Sequence, residues 1–340
     1  MRDVLSDIER WLDEGRGVAL ATVVETWGSA PRTVGGKMAV SDDRRIAGSV
    51  SGGCVEGAVV EAAAGVLASG EPRLLRFGVS DDTAWSVGLA CGGAIEVFVE
   101  PIARDIFGPV RDALRAETPV AVATVIRGGD TEVGRKVVLL GDGRALGDRD
   151  AAALDAARAA LAESRSRRFA VGGRDIFADV QLPSPRMVIV GGVHIAVALV
   201  GLAKALGFRT ILVDPRAAFA NPKRFPDVDE LHSEWPSEAL AKIDLNAGSA
   251  VAVLAHDPKL DDPALIAALA SPAFYVGALG STRTQEKRRT RLLAAGVSEE
   301  ALRRLHAPIG LDLGGRSPEE IALSVMAQVV AARHGKADAA

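Results

Sequence analysis

Between Met187 and Ala203 every position is apolar except His194. That length approaches a membrane span. The Gly191-Gly192 break, the β-branched run before it and Lys204 after it divide the segment instead into a buried strand, a turn and a core-facing helix. The alternation continues. MVIVGG (187–192) predicts a strand running into glycines, IAVALVGLAKALG a helix ended by Gly207, and TILVD (210–214) a second strand closing on an acid. AVAVLAHDPKLDDPALIAALA predicts a strand, a His256-Asp257 loop and a helix, and FYVGALGSTRTQEKRRTRLL a strand, a GALGS loop and a helix. A last amphipathic helix follows IGLDLGGR, with Ser317 and Glu320 as a capping box and Pro318 at the first helical position. Strands alternating with helices predict an α/β domain, a doubly wound parallel sheet over residues 184–335, with 336–340 as a disordered tail.

The first half, 1–183, has a different pattern. ALATVV (19–24) is similar to AVATVI (121–126), and Lys37, Arg45 and Gly48 match Lys136, Arg144 and Gly147, each 99 positions on. LLRFG (74–78) has a loose counterpart in RRFAVG (167–172), and AIEVFVEP (94–101) in DIFADVQLP (175–183). This reads as an α+β domain with an internal duplication, at about 18–101 and 119–183. Each copy is expected to hold two strands, a helix and two more strands. The same offset sets Ser51 on Asp150, Cys54 on Ala153 and Glu56 on Asp155. In copy two, DRDAAALDAARAALAES predicts a helix capped by Asp150. Transferred to copy one, Ser51 becomes the N-cap and Gly52, Gly53 and Cys54 the first three helical positions. On that reading alanine at either glycine would stabilise the helix by roughly 1 kcal/mol.

Composition narrows the class. The chain has 340 residues, 48% hydrophobic and 25% charged, as in ordinary globular proteins. Its 40 basic and 44 acidic residues leave a net charge of −4, so no global field draws it to nucleic acid or an anionic membrane. The basic run Lys287 to Arg291 reads as a solvated helix face. The charged, amphipathic MRDVLSDIERWLDEGR lacks the apolar core of a signal peptide, and a cytoplasmic location is expected.

The chain has two cysteines, and both touch a glycine pair: Gly52-Gly53-Cys54 in GSVSGGCVEG and Cys91-Gly92-Gly93 in LACGGAIEV. Such glycines bare the backbone N–H groups and allow positive φ. A helix start at Ser51 would add the positive end of the helix dipole, favouring an anion and a Cys54 thiolate. A buried cysteine in a glycine-rich turn is the alternative. The preceding loop, TWGSAPRTVGGKM (26–38), offers Ser29, Arg32, Thr33 and Lys37 to close over a polar ligand.

In the second half, ligands of an open sheet bind beyond the carboxyl ends of its strands, where Gly191, His194, Asp214, His256, Asp257, Gly277, Gly280 and Ser281 would converge. Asp214 follows Gly191 at nearly the spacing of a ribose-binding acid in a Rossmann fold. The glycine fingerprint fails, because Val193 and Ala196 stand at its second and third positions. NAD(P) binding is therefore expected to be weak or absent. An NAD(P)-dependent oxidoreductase is the alternative that topology and Asp214 favour.

GSAPRTVGGKM, GSVSGGCVEG and LACGGAIEVFVEP resemble the amino-terminal signature of the XdhC/CoxI family. VIVGGVHIAVAL, AHDPKLDD, YVGALGSTRT and PIGLDLGGRSPEEIALSVMAQ resemble its carboxy-terminal Rossmann domain. The resemblance covers about 18–333 and implies an accessory protein for molybdenum hydroxylases rather than an enzyme. Such proteins bind the molybdenum cofactor (molybdopterin), support its sulfuration by a cysteine desulfurase and hand it to the apo molybdenum hydroxylase, of xanthine dehydrogenase or CO dehydrogenase type. A homodimer is expected. Carried onto this chain, Ser51, Gly52, Gly53, Cys54, Glu56, Cys91, Gly92 and Gly93 become the first cofactor-binding candidates, with Cys54 and Cys91 as molybdenum contacts.

Overall fold

Amphipathic helices (residues 2–13 and 104–115), mainly apolar helices (56–69 and 151–162) and short apolar strands recur in the same order through the amino-terminal half. The computed structural model describes residues 1–29, 32–78 and 93–336, and divides the chain into two units, Met1–Pro183 and Ser184–Ala340. The first unit opens with α1 (Arg2–Asp13), β1 (Val18–Trp27), β2 (Lys37–Ser41), β3 (Ile46–Gly48), α2 (Glu56–Ser69), β4 (Arg73–Phe77) and β5 (Ala94–Pro101). It continues with α3 (Arg104–Arg115), β6 (Val120–Arg127), β7 (Lys136–Leu140), β8 (Ala145–Gly147), α4 (Ala151–Ala162), β9 (Arg167–Val171) and β10 (Arg174–Gln181).

Two antiparallel sheets result, ordered β3-β2-β1-β5-β4 and β8-β7-β6-β10-β9. The second is the first again, strand for strand. Each copy has three strands before its helix rather than the two expected, and each is led by a helix, α1 or α3, packed on its own sheet. The matched glycines mark the equivalence: Gly48 (φ +73°) and Gly147 (φ +90°) close the same turn, where a Cβ would lie 2.4 or 2.5 Å from the carbonyl oxygen of Lys37 or Lys136.

One face of each sheet buries an alanine- and valine-rich core beneath α2 or α4. The opposite faces meet through Val24, Phe98, Ile126 and Phe177. Around this patch the copies exchange charges. Lys37 pairs with Asp179 at 2.8 Å, and Lys136 pairs with Glu100. Phe98 and Phe177 occupy equivalent positions, opposite Thr22 and Thr124.

The second unit contains β11 (Arg186–Val190), α5 (His194–Ala205), β12 (Arg209–Val213), β13 (Glu230–His232), α6 (Pro236–Lys242), β14 (Ser249–Val253) and α7 (Pro258–Ala270). It ends with β15 (Tyr275–Ala278), α8 (Thr282–Ala294), α9 (Glu299–Leu302), β16 (Leu305–His306) and α10 (Pro318–Arg333). Its six strands are parallel in the order β13-β12-β11-β14-β15-β16, the Rossmann arrangement. Both faces are covered: α5 and α10 bury one apolar cluster, while α6, α7 and α8 bury another. Residues buried on both sides explain why these strands read as continuous apolar runs. The capping box at Ser317 and Glu320 is formed. Of the expected tail, the Lys336 N–H still donates to the Ala331 carbonyl at 2.8 Å, and 337–340 lie outside the described residues. Among the described residues no helix is long and apolar enough to cross a membrane.

Candidate functional site

The glycine loop between β3 and α2 departs from the helix expected there. Ser51 does behave as a cap in one respect: its Oγ accepts the Cys54 N–H at 3.0 Å, as the Asp150 carboxylate accepts the Ala153 N–H at 3.1 Å in copy two. There the likeness ends. Gly52 (φ +79°) and Gly53 (φ +119°) take conformations that no right-handed helix contains, so α2 begins only at Glu56, with Val55 as N-cap. The first helical turn of copy two is unwound in copy one.

An internal anion fills the unwound turn. Glu56 Oε1 accepts the Ser49 hydroxyl at 2.6 Å and the N–H groups of Val50, Ser51 and Gly52 at 3.3, 2.9 and 3.1 Å. Oε2 accepts the Ser51 hydroxyl at 2.5 Å, the Gly53 N–H at 2.8 Å and the Val55 N–H at 3.2 Å. Burial pushes the Glu56 carboxyl up, but the donors from Ser49 and Ser51 outweigh it and bring it down to about 2. Successive backbone N–H groups of this kind form an anion-binding nest. Here the anion is the chain's own Glu56, which corrects the expectation that these N–H groups stand free for a ligand. Cys54 escapes the wrapping. Its N–H is bonded and the residue is exposed, which removes the buried-cysteine alternative.

Of the second signature, Cys91 and Gly92 lie outside the described residues. Gly93 abuts the 26–38 loop: a Cβ there would lie 2.9 Å from the Ser29 carbonyl, a contact only glycine permits. Arg32 and Thr33 are exposed. Lys37 is not available to a ligand, because its ammonium is buried against Asp179 and donates to Thr22 Oγ1 at 3.1 Å.

In the second unit, Gly191 and Gly192 end β11 at the point where the strand order reverses. Both are glycine because the chain itself crowds them: a Cβ would meet the Ala255 nitrogen at 2.7 Å or the Phe219 carbonyl oxygen at 2.6 Å. Val193 is the N-cap of α5 and His194 its first residue, exposed. His256, at the end of the neighbouring β14, is also exposed and holds φ +64°, a conformation uncommon outside glycine. Asp257 caps α7 by accepting the Lys259 N–H at 3.0 Å. Gly280 (φ +142°) leads into Ser281, the N-cap of α8. Gly277 does not belong with them. It is buried in β15, with Ile309 and the Tyr275 hydroxyl packed where a Cβ would stand.

Asp214 is fully buried and already engaged. Oδ2 accepts the Gly192 N–H at 2.8 Å and Arg216 Nη2 at 2.6 Å, and Oδ1 accepts Arg216 Nε at 2.8 Å. Burial pushes its carboxyl up, but the Arg216 and Gly192 donors hold it below the usual carboxylate range. Arg216 in turn lies 4.1 Å above the Phe219 ring, with Arg224 at 5.5 Å from the same ring. Sequence reasoning missed this arginine and aromatic cluster, although an arginine two residues after the strand-end acid was the signal. Among the described residues no group of three or more His, Cys, Asp or Glu is placed to hold a metal ion.

Comparison with known proteins places these features in a family. Residues 11–78 match the XdhC and CoxI family, and residues 187–329 the XdhC Rossmann domain. A protein of Escherichia coli K12 named molybdenum cofactor insertion chaperone PaoD is 30% identical over 335 residues, 98% of this chain and 88% of that protein. The chain belongs to the XdhC and CoxI family. A further relative of this XdhC and CoxI protein, from Bacillus subtilis 168, is named as a probable subunit of xanthine dehydrogenase and is 28% identical over 331 residues, 96% of each chain. A crystal structure described as a xanthine dehydrogenase from Bacillus halodurans superposes with a TM-score of 0.80 at 26% identity, covering 98% of this chain and 96% of that one.

Proposed function

We propose that this XdhC/CoxI protein binds the molybdenum cofactor, supports its sulfuration by a cysteine desulfurase and delivers it to an apo molybdenum hydroxylase of xanthine dehydrogenase or CO dehydrogenase type. The observation that carries this reading is Cys54, exposed on a loop that gives up a helical turn to present it. A thiolate is a soft ligand suited to molybdenum, and a reducing cytoplasm keeps it unoxidised. The names of the E. coli and B. subtilis relatives point to the same cargo and the same class of client. Cys91 supplies a second contact or a persulfide relay, and the working species is a homodimer.

An NAD(P)-dependent oxidoreductase fits less well. Asp214, the residue that would hold a ribose, has its carboxylate bonded to Gly192 and Arg216.

Delivery is tested by mixing cofactor-loaded protein with purified apo-hydroxylase and following molybdenum in both fractions together with substrate turnover. Molybdenum moving to the hydroxylase as activity appears is expected. Molybdenum that stays on this chain while free cofactor activates the hydroxylase equally well would overturn the delivery role.

A further inference from the structure

Glu56 is the most heavily bonded carboxylate in the glycine loop, and the binding reading gives it no task beyond lying near Cys54. Its partners are all from residues 49–55, the segment that carries the thiol. Cys54 itself is tied into the same arrangement from the other side: the Ser51 hydroxyl that donates to Glu56 Oε2 accepts the N–H groups of both Cys54 and Val55 at 3.0 Å. Ser51 is thus the link between carboxylate and cysteine. The second copy shows what happens without this arrangement. At the positions of Ser51 to Cys54 it holds Asp150 and three alanines, and at that of Glu56 it holds Asp155, an exposed helical residue whose carboxylate pairs with Arg158. There the segment is plain helix, and Ala153, the counterpart of Cys54, is buried under the sheet.

We infer that Glu56 is a positioning residue: its carboxylate is the permanent internal anion around which residues 49–55 fold, and through Ser51 it fixes Cys54 at the surface. A consequence follows for the ligand. The N–H groups of this loop serve Glu56, so the loop presents a thiol to the cargo and does not bind its phosphate. The inference rests on the reading of Cys54 as the residue that meets molybdenum.

The test compares Glu56→Ala, Glu56→Gln and Cys54→Ser in the full chain. Two quantities are read: hydrogen exchange at the amides of 50–55, and molybdenum and pterin bound per chain after purification from cells that make the cofactor. Glu56→Ala is expected to lose amide protection and to lower loading about 10-fold or more, the range seen when groups supporting a metal contact are removed. Acetate at high concentration, but not chloride at equal ionic strength, is expected to restore the amide protection of the purified Glu56→Ala protein, because a free carboxylate refills the nest. If Glu56→Ala is not folded by circular dichroism, Glu56→Gln carries the test, with loss of protection and loading as the expected result. Unchanged protection overturns the inference, as does lost protection with unchanged loading. Failure of acetate to restore a folded Glu56→Ala overturns the internal-anion role, as does inorganic phosphate that competes with Glu56 for the loop amides of the unaltered protein. If Cys54→Ser loads normally, it is the molybdenum reading that fails, whatever Glu56 does.

Discussion

Cys54 owes its exposure to two glycines and one glutamate. With Gly52 and Gly53 at positive φ, alanine at either position must adopt a left-handed conformation, which costs about 1–2 kcal/mol. The Gly52→Ala and Gly53→Ala variants are therefore expected to unfold at lower denaturant, and unchanged or raised midpoints would contradict the loop geometry. Helix propensity points the other way, and the contrast shows where sequence reasoning stops. The motif and the permissiveness of its glycines are legible in GSVSGGCVEG. The sign of φ is not, because glycine at a helix start and glycine in a nest look alike. Nor is the return of the Glu56 carboxylate, although a glutamate five residues after a serine and across a glycine pair was a usable hint. Exposure carries its own expectation: the Cys54 peptide should be alkylated rapidly in the folded protein, as read by mass spectrometry. Inertness there would contradict an exposed thiol.

At the scale of elements, the duplicated sheets are held together by reciprocal pairs that no alignment of the two copies displays. Lys37 and Lys136 match at a fixed offset, but their partners Asp179 and Glu100 come from the last strand of the opposite copy. The partners were invisible for a physical reason: they are fixed by packing of one sheet on another. The short strands β3, β8, β13 and β16 escaped for a different one, since two or three residues carry no measurable periodicity. Lys37→Met leaves the Asp179 carboxylate buried without its cation and is expected to cost about 3–5 kcal/mol in denaturant unfolding. Combining it with Asp179→Leu should recover much of that loss. A Lys37→Met variant as stable as the original would show that the pair does not hold the sheets. In the second unit, the Asp214 carboxyl is held below its ordinary value of 3.8. It therefore contributes stability that is complete above 3.8 and is lost as pH falls through its lower folded value. Asp214→Asn should flatten that acid limb, and an unchanged limb would contradict the Arg216 pairing.

Across the whole molecule, the alternation of apolar runs and helices made the Rossmann-type sheet legible, and the repeated blocks made the duplicated α+β fold legible. Family motifs pointed to the cargo. What the sequence left open was whether the second unit accepts a nicotinamide nucleotide, since Asp214 argued for it and Val193 against. The half-exposed Arg216 guanidinium bonded to the buried Asp214 carboxylate, and the Phe219 carbonyl seated on Gly192, weigh against ordinary dinucleotide binding. Titration with NADH and NADPH by calorimetry is expected to show no tight binding. Micromolar binding that vanishes in Asp214→Ala would restore the oxidoreductase reading.

Molybdenum and pterin analysis of the protein and its Cys54→Ser variant, purified side by side from cofactor-producing cells, tests whether this chain carries the molybdenum cofactor through Cys54. The unaltered chain should carry molybdenum and pterin in equal amounts, and Cys54→Ser, though folded, should lose most of both, because a hydroxyl stays protonated and is a poor molybdenum ligand. Equal loading of the two proteins, or no molybdenum on either, would rule out Cys54 as the residue that holds the cofactor.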